Sequence, residues 1–169
     1  MRVRRRDKEV RDPAAVLDVL GRGEVARLAM VDADGGPYVV PVSYAVLPAD
    51  AGEPLRIVVH GAREGRKVDA LRRDPRVCVE VTVDAATIPA VRACDVTVRY
   101  RSVIAFGRAA FLEDRASRAR ALAALAARHA PGAPPVDEEQ ARRVAILEIR
   151  IDAATCKVSP PPRPGGSGP

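Results

Sequence analysis

The sequence predicts a mainly β domain with peripheral α-helices, and three observations carry that reading. Apolar and polar residues alternate in several runs, most clearly where Val77, Val79, Val81 and Val83 interleave with Cys78, Glu80 and Thr82. Such period-two alternation marks a strand with one buried face. Connections between runs are short, which favours antiparallel pairing and a small barrel. Aromatic residues make up only 3% of the chain and tryptophan is absent, so the core has to be built mainly from Val, Leu, Ile and Ala. At 169 residues and 47% hydrophobic content, the chain has the size of one domain with a real core.

Taken in order, Asp12 and Pro13 read as an N-cap with proline at the first helical position, and Gly21 and Gly23 as stops. A short helix is therefore predicted over 14–20. A strand over 25–31 follows, joined by the turn Asp34-Gly35-Gly36-Pro37 to a second strand over 38–47, making a β-hairpin. Pro41 lies inside that second strand and cannot donate to a ladder, which requires an edge, a bulge, or something other than a strand beside it. After a loop over 49–54, a third strand over 55–59 ends at His60, and 64–73 has helical character with Val68 and Leu71 on one face. The alternating strand over 76–83 comes next, then a long strand over 96–112 with Gly107 as a candidate bulge. An Ala/Leu/Arg helix over 115–129 buries Leu122 and Leu125, and the segment 130–135 breaks it. A short helix over 137–143 and a strand over 144–151 close the domain. Three regions follow: a basic N-terminal arm at 1–11, a folded domain at 12–158, and a Pro/Gly-rich tail at 159–169 too poor in apolar surface to order itself.

The net charge of +6 points to nucleic acid only until it is located. Residues 1–11 carry Arg2, Arg4, Arg5, Arg6, Lys8 and Arg11 against Asp7 and Glu9, and so supply +4 of it. Such an arm reads as a solvated terminus, and no interleaved aromatics accompany it. Cys78, Cys94 and Cys156 are odd in number and share no C-x-x-C spacing, which argues against a disulfide framework or a zinc site and for a reducing compartment. No apolar run approaches the ~18 residues of a membrane span, and the N-terminus lacks the apolar stretch of a signal peptide. A cytoplasmic protein with neither nucleic-acid nor membrane partner is expected.

Two histidines leave few catalytic constellations open. His60 stands at the end of an apolar strand, directly before Gly61, Ala62 and a helix start. It reads either as a packed strand-end residue or as one that faces a ligand. A strand leading into a helix N-terminus offers free N–H groups and a positive dipole end, and Gly61 and Gly65 let a ligand approach the backbone. Arg66 and Lys67 fall in the first turn, where the helix dipole disfavours cations unless an anion compensates. His129 ends an Ala-rich helix, where a histidine interacts with the dipole. The serines lie in no G-x-S-x-G elbow, and neither a G-x-x-x-x-G-K-[ST] loop nor a G-x-G-x-x-G turn is present. The residues alone thus point to an anion-binding corner in a β-rich domain.

Four segments together resemble one known family. They are 34–42 (DGGPYVVPV), 60–67 (HGAREGRK) with Leu71 and Pro75 to Cys78, 100–104 (YRSVI) with Gly107, and the closing strand through Lys157. Their order and separations are similar to those of the pyridoxamine 5'-phosphate oxidase-like flavoproteins, and most of all to the nitroimidazole-resistance (Nim) proteins. The resemblance implies a split β-barrel that forms a homodimer with two FMN molecules in grooves at the interface. It implies that Val40, Pro41 and Val42 lie along the isoalloxazine, that His60, Gly61, Ala62 and Lys67 hold the phosphate, and that Ser102 adds a contact. It implies further that His60 faces substrate as the candidate catalytic residue. The activity implied is an FMN-dependent oxidoreductase that reduces a nitroimidazole-like small molecule with electrons from NAD(P)H. The alternative is a flavin-, deazaflavin- or haem-binding stress protein without rapid turnover, with His60 as the axial ligand in the haem case.

Overall fold

The computed structural model describes residues 8–10, 12–47 and 53–159. The elements run β1 (Glu9–Val10), α1 (Pro13–Arg22), β2 (Val25–Val31), β3 (Pro37–Leu47), β4 (Arg56–Gly61) and α2 (Arg66–Arg73). They continue through β5 (Arg76–Ile88), β6 (Thr97–Phe111), α3 (Arg115–His129), α4 (Glu138–Arg142) and β7 (Ala145–Val158). The sheet order is β1-β7-β4-β3-β2-β5-β6, and β7 also pairs with β6, so six strands close into a barrel with β1 added beside β7. Every pairing is antiparallel. Closure removes the exposed sheet edges that an open sheet of this size would have to protect.

β7 makes closure possible because it is long enough to serve two neighbours. Its first half pairs with β4 and its length with β6, and the β6 register shifts between Phe106 and Gly107. A Cβ at Gly107 would lie 2.1 Å from the carbonyl oxygen of Arg150, so only glycine lets the two backbones meet at the bulge. Inside, Leu28, Ile57, Val79, Val81, Val103, Leu147 and Ile149 form an aliphatic core, as the composition requires. Tyr44 is the aromatic exception: it is fully buried, and its hydroxyl donates to the Leu20 carbonyl at 2.7 Å. α1 plugs one end of the barrel with Val19 and Leu20, while α3 lays Ala121, Leu122 and Leu125 on Ala45, Val58 and Ile146. Arg128 ties the two helices together by donating to the carbonyls of Leu20 and Gly23 while stacking on the Tyr44 ring at 4.7 Å.

Several boundaries differ from those predicted. β4 continues through His60 and Gly61 because β7 supplies partners for both, Ile146 and Ala145. α2 begins only at Arg66, since Gly65 occupies the cap with φ 114°. β5 and β7 run well past the alternating stretches, to Ile88 and Val158, held there by pairing with β6. Within the segment read as a basic arm, Glu9 and Val10 pair with Lys157 and Cys156. The rest of that arm, apart from Lys8, lies outside the described residues, as do 49–52 of the predicted loop and all of the predicted tail beyond Ser159. Among the described residues no helix is long and apolar enough to cross a membrane.

Candidate functional site

The β3–β4 ladder runs from Leu47 opposite Arg56 to Tyr44 opposite Val59 and stops there. Beyond it, 37–43 of β3 pair only with β2, and His60 and Gly61 pair only with β7. The barrel therefore splits where the chain leaves β4 and turns into α2. Pro41 lies in that one-sided stretch, opposite Arg27, which gives it the free edge a strand proline needs.

The corner itself is built by glycines and one lysine. Lys67 sits in the first turn of α2 with its side chain folded back over β4, so that a Cβ at Gly61 would fall 2.6 Å from Nζ. The missing side chain of Gly61 is what leaves room for the ammonium. Lys67 is half-buried, and among the described residues its ammonium has no hydrogen-bond or ion-pair partner; burial holds its pKa below the usual lysine value. No side chain caps the helix, whose Gly65 adopts φ 114°, ψ 172°, a conformation essentially restricted to glycine. An uncapped helix start beside a desolvated, unpaired ammonium is complementary to a phosphate group.

Arg66, the neighbouring cation, is already compensated. Its guanidinium pairs with Asp32 and lies over the Tyr38 ring at 4.5 Å. Asp32 is only 4% exposed and also accepts from the amides of Gly36 at 2.8 Å and Asp34 at 3.0 Å. The arginine and these amides hold its carboxyl below the usual aspartate range. The dipole argument from sequence therefore fails for Arg66: its counter-charge comes from the β2–β3 turn, which pins the first residue of α2. Lys67 has no such partner among the described residues. The D-x-D-G pattern signals the turn, but nothing local to Arg66 signals its partner 34 residues away.

His60 is exposed at the end of β4, and burial, the Lys67 charge and His129 all lower its pKa, in that order. The imidazole is therefore neutral near pH 7, able to donate through one nitrogen and accept through the other. His129, from the end of α3, has its Nε2 2.8 Å from the Tyr44 carbonyl; with the ring N–H donating, this fixes it beside the split. Sequence separation hides this proximity of the two histidines.

The remaining predicted residues divide into two groups. Val40 and Val42 turn their side chains toward the core, Pro41 faces outward, and Ala62 is exposed beside Gly61. Ser102 is not brought to the corner within one chain. It lies on β6 between Thr82 and Lys157, and Lys157 stands eleven residues along β7 from Ile146, the partner of His60. That separation is about 36 Å of strand. Ser102 is itself buried, and four residues further along β6 an apolar row crosses the outer barrel face: Val39, Ala29, Cys78, Phe106 and Ala153 are continuous cross-strand neighbours over five strands. Val39 is 57% and Phe106 42% exposed. Among the described residues no three His, Cys, Asp or Glu side chains gather as metal ligands.

A closed antiparallel barrel, split at one seam, with a phosphate-complementary corner at the split, defines a small barrel suited to a phosphorylated ligand. The family model described as pyridoxamine 5'-phosphate oxidase matches residues 12–158, and the chain belongs to that split-barrel family. No curated protein sequence matches it. Among solved structures it is similar to a candidate 5-nitroimidazole antibiotic resistance protein from Bacteroides thetaiotaomicron, with TM-score 0.76 and 21% identity over 89% of this chain and 86% of that one. It is also similar to the flavocytochrome Anf3 from Azotobacter vinelandii, with TM-score 0.79 and 25% identity over 95% of this chain and 73% of that one. A third is the FAD and haem binding protein from Mycobacterium smegmatis, with TM-score 0.76 and 25% identity over 91% and 74%.

Proposed function

We propose that the protein is a flavin-dependent oxidoreductase whose cofactor phosphate occupies the Gly61–Lys67 corner. The observation that carries this reading is the half-buried Lys67 ammonium, unpaired among the described residues and lodged in the space left by Gly61. Two of the solved relatives are a flavocytochrome and an FAD and haem binding protein, which favours a flavin over other phosphorylated ligands. When bound, the flavin supplies a two-electron carrier that the protein has only to orient. Lys67 and the first amides of α2 would hold its phosphate, Gly61 and Ala62 would admit it to the backbone, and the free edge of β3 at Val40, Pro41 and Val42 would border its ring. His60, neutral and exposed next to this edge, would face the substrate and hydrogen-bond to it. FMN is the smallest flavin that satisfies the corner. NAD(P)H as electron donor, a nitroimidazole-like small molecule as acceptor and a cytoplasmic setting complete the reading.

The same reading requires a homodimer. Ser102 reaches a ligand at the corner only from a second copy, and the apolar row through Val39 and Phe106 is the surface such a copy would cover. A second reading, a haem-binding protein with His60 as axial ligand, is favoured by the same two relatives, the flavocytochrome and the FAD and haem binding protein. The absorption spectrum of the purified protein after incubation with each cofactor separates them. Flavin bands support the first reading and a Soret band the second, whereas a protein that takes up no flavin refutes the first. Anaerobic reduction by NAD(P)H followed by a panel of nitroaromatics then tests turnover.

A further inference from the structure

α3 packs one face on the barrel and turns another toward the chain that returns beside it. Leu122 and Leu125 cluster with Ala45, Val58 and Ile146, whereas Ala119, Ala123 and Ala127 are exposed and floor a groove of about 680 Å³. Pro134, Pro135 and Val136 wall its other side. Between Arg115 and Ala127, both of which line the groove, α3 rises about 18 Å. The amides of this stretch are spent inside the helix, and proline has no N–H, so the walls offer an extended peptide few backbone partners. Among the described residues no aromatic side chain lines the groove for a planar ring to stack on. Length without polar partners suits a hydrocarbon chain.

Charge enters at one end only. Glu113, Arg115 and Arg118 line the groove at the start of α3, where Arg118 donates to the carbonyl of Ala141 in α4 at 2.6 Å. Glu113 and Arg118 also line a small cleft of about 40 Å³, together with Arg63 and Arg72. Arg118 donates further to the carbonyls of Leu112 and Val144 at 2.9 and 3.1 Å, and Arg63 to that of Arg142 at 2.9 Å. Arg72 lies over the Phe111 ring at 5.5 Å. Carbonyls and a ring hold these guanidinium groups in place without cancelling their charge. Among the described residues none of the three pairs with a carboxylate. Three positive charges against the one carboxylate of Glu113 leave the cleft with an excess of two.

We infer that cleft and groove together form a binding site for a long-chain carboxylate, its head group against Arg63 and Arg72 and its hydrocarbon body along the alanine face of α3. A guanidinium fork matches the two oxygens of a carboxylate, and each methylene laid against alanine and proline adds apolar burial. Glu113 and Arg118, shared by the two spaces, mark where head and chain join. The inference is independent of the flavin reading of the Gly61–Lys67 corner.

Calorimetric titration of the full-length protein with sodium dodecanoate, kept below its micelle concentration, tests this. One saturable site per chain is expected, with octanoate at least about tenfold weaker because its chain leaves part of the groove unfilled. Dodecyltrimethylammonium, which keeps the chain but reverses the head-group charge, should also bind at least about tenfold more weakly. Ala123→Trp, which fills the groove from an exposed helix position, should abolish saturable binding, and Arg72→Ala should weaken it about tenfold. Should Ala123→Trp fail to fold, Ala127→Trp, also exposed and one turn further on, fills the same space. Absence of saturable dodecanoate binding, equal affinity for the ammonium, or an affinity that the tryptophan variants leave intact overturns the inference. Displacement of dodecanoate by FMN would overturn it too, by placing the chain in the flavin corner. A tryptophan variant whose sedimentation changes while its dodecanoate affinity does not would instead mark the groove as a contact between copies of the chain.

Discussion

The corner at Gly61–Lys67 and the outer face around Ser102 lie on the same barrel but differ in how much of a site one chain can complete. At the corner, everything needed to meet a phosphate comes from eight consecutive residues and one supporting turn: a shortened side chain, an uncapped helix start and an inward-folded lysine. On the outer face, the row that crosses β6 four residues from Ser102 leaves Val39 and Phe106 exposed, and nothing among the described residues covers them. Charge recognition needs only a few well-placed groups, whereas enclosing a planar ring takes surface area. The first can be local, and in the proposed dimer the second is shared.

The largest expected effect comes from breaking the outer face. Phe106→Asp places a carboxylate on the apolar row, and burying it unpaired in a dimer costs several kcal/mol. The dimer dissociation constant should rise about a hundredfold or more in sedimentation experiments, while monomer stability changes by less than about 1 kcal/mol. An unmodified oligomeric state would refute the assignment of this face. Lys67→Ala strikes the other region: losing a charge-assisted contact of about 1.5–3 kcal/mol should weaken flavin binding roughly tenfold to a hundredfold in fluorescence titrations. The two regions can also be joined in one measurement. Mixed dimers of Lys67→Ala and Ser102→Ala chains should regain one intact site per pair if Ser102 acts across the interface, and none if it acts within its own chain.

A smaller effect is expected for Gly65→Ala, which forces a side chain into the glycine-only cap conformation of α2. Urea unfolding should show a loss of about 1–3 kcal/mol, and an unchanged midpoint would mean the helix start readily adapts. The pH dependence of Lys67 sharpens the comparison further. Its folded pKa is lowered by burial, so between that value and the ordinary 10.5 the unfolded chain binds more protons and the stability of the ligand-free protein rises with pH. A phosphate favours the charged ammonium, so flavin affinity should fall with rising pH across the same window. That fall should be absent from Lys67→Ala.

Much of the barrel was legible in the sequence wherever local pattern and tertiary demand agree. β2 and α3 have the predicted ends because Gly23 and the Asp34 turn bound one and Asp114 and Pro131 bound the other. The second halves of β5 and β7 were not legible: Asp84–Ile88 and Asp152–Val158 do not alternate and are strands only because β6 pairs with both. β1 is two residues inside a charged stretch, held by Lys157 and Cys156. At the corner, Gly61, Gly65 and Lys67 could be recognised from their spacing because they act within one turn. The Asp32–Arg66 pair, the approach of His129 to the split, and the groove between α3 and Pro134 depend on contacts between distant segments, which no local pattern reports.

Asp32 has a consequence for how the corner answers to its surroundings. By neutralising Arg66 it leaves Lys67 as the cation facing a ligand there, so attraction at this point is that of one charge rather than two. A single, half-sheltered ion contact is only weakly screened. Raising ionic strength should therefore loosen a phosphate at this corner far less than it would loosen one bound to an open cluster of arginines. Retention of the ligand would then depend more on the fit around Gly61 than on the salt content of the cell.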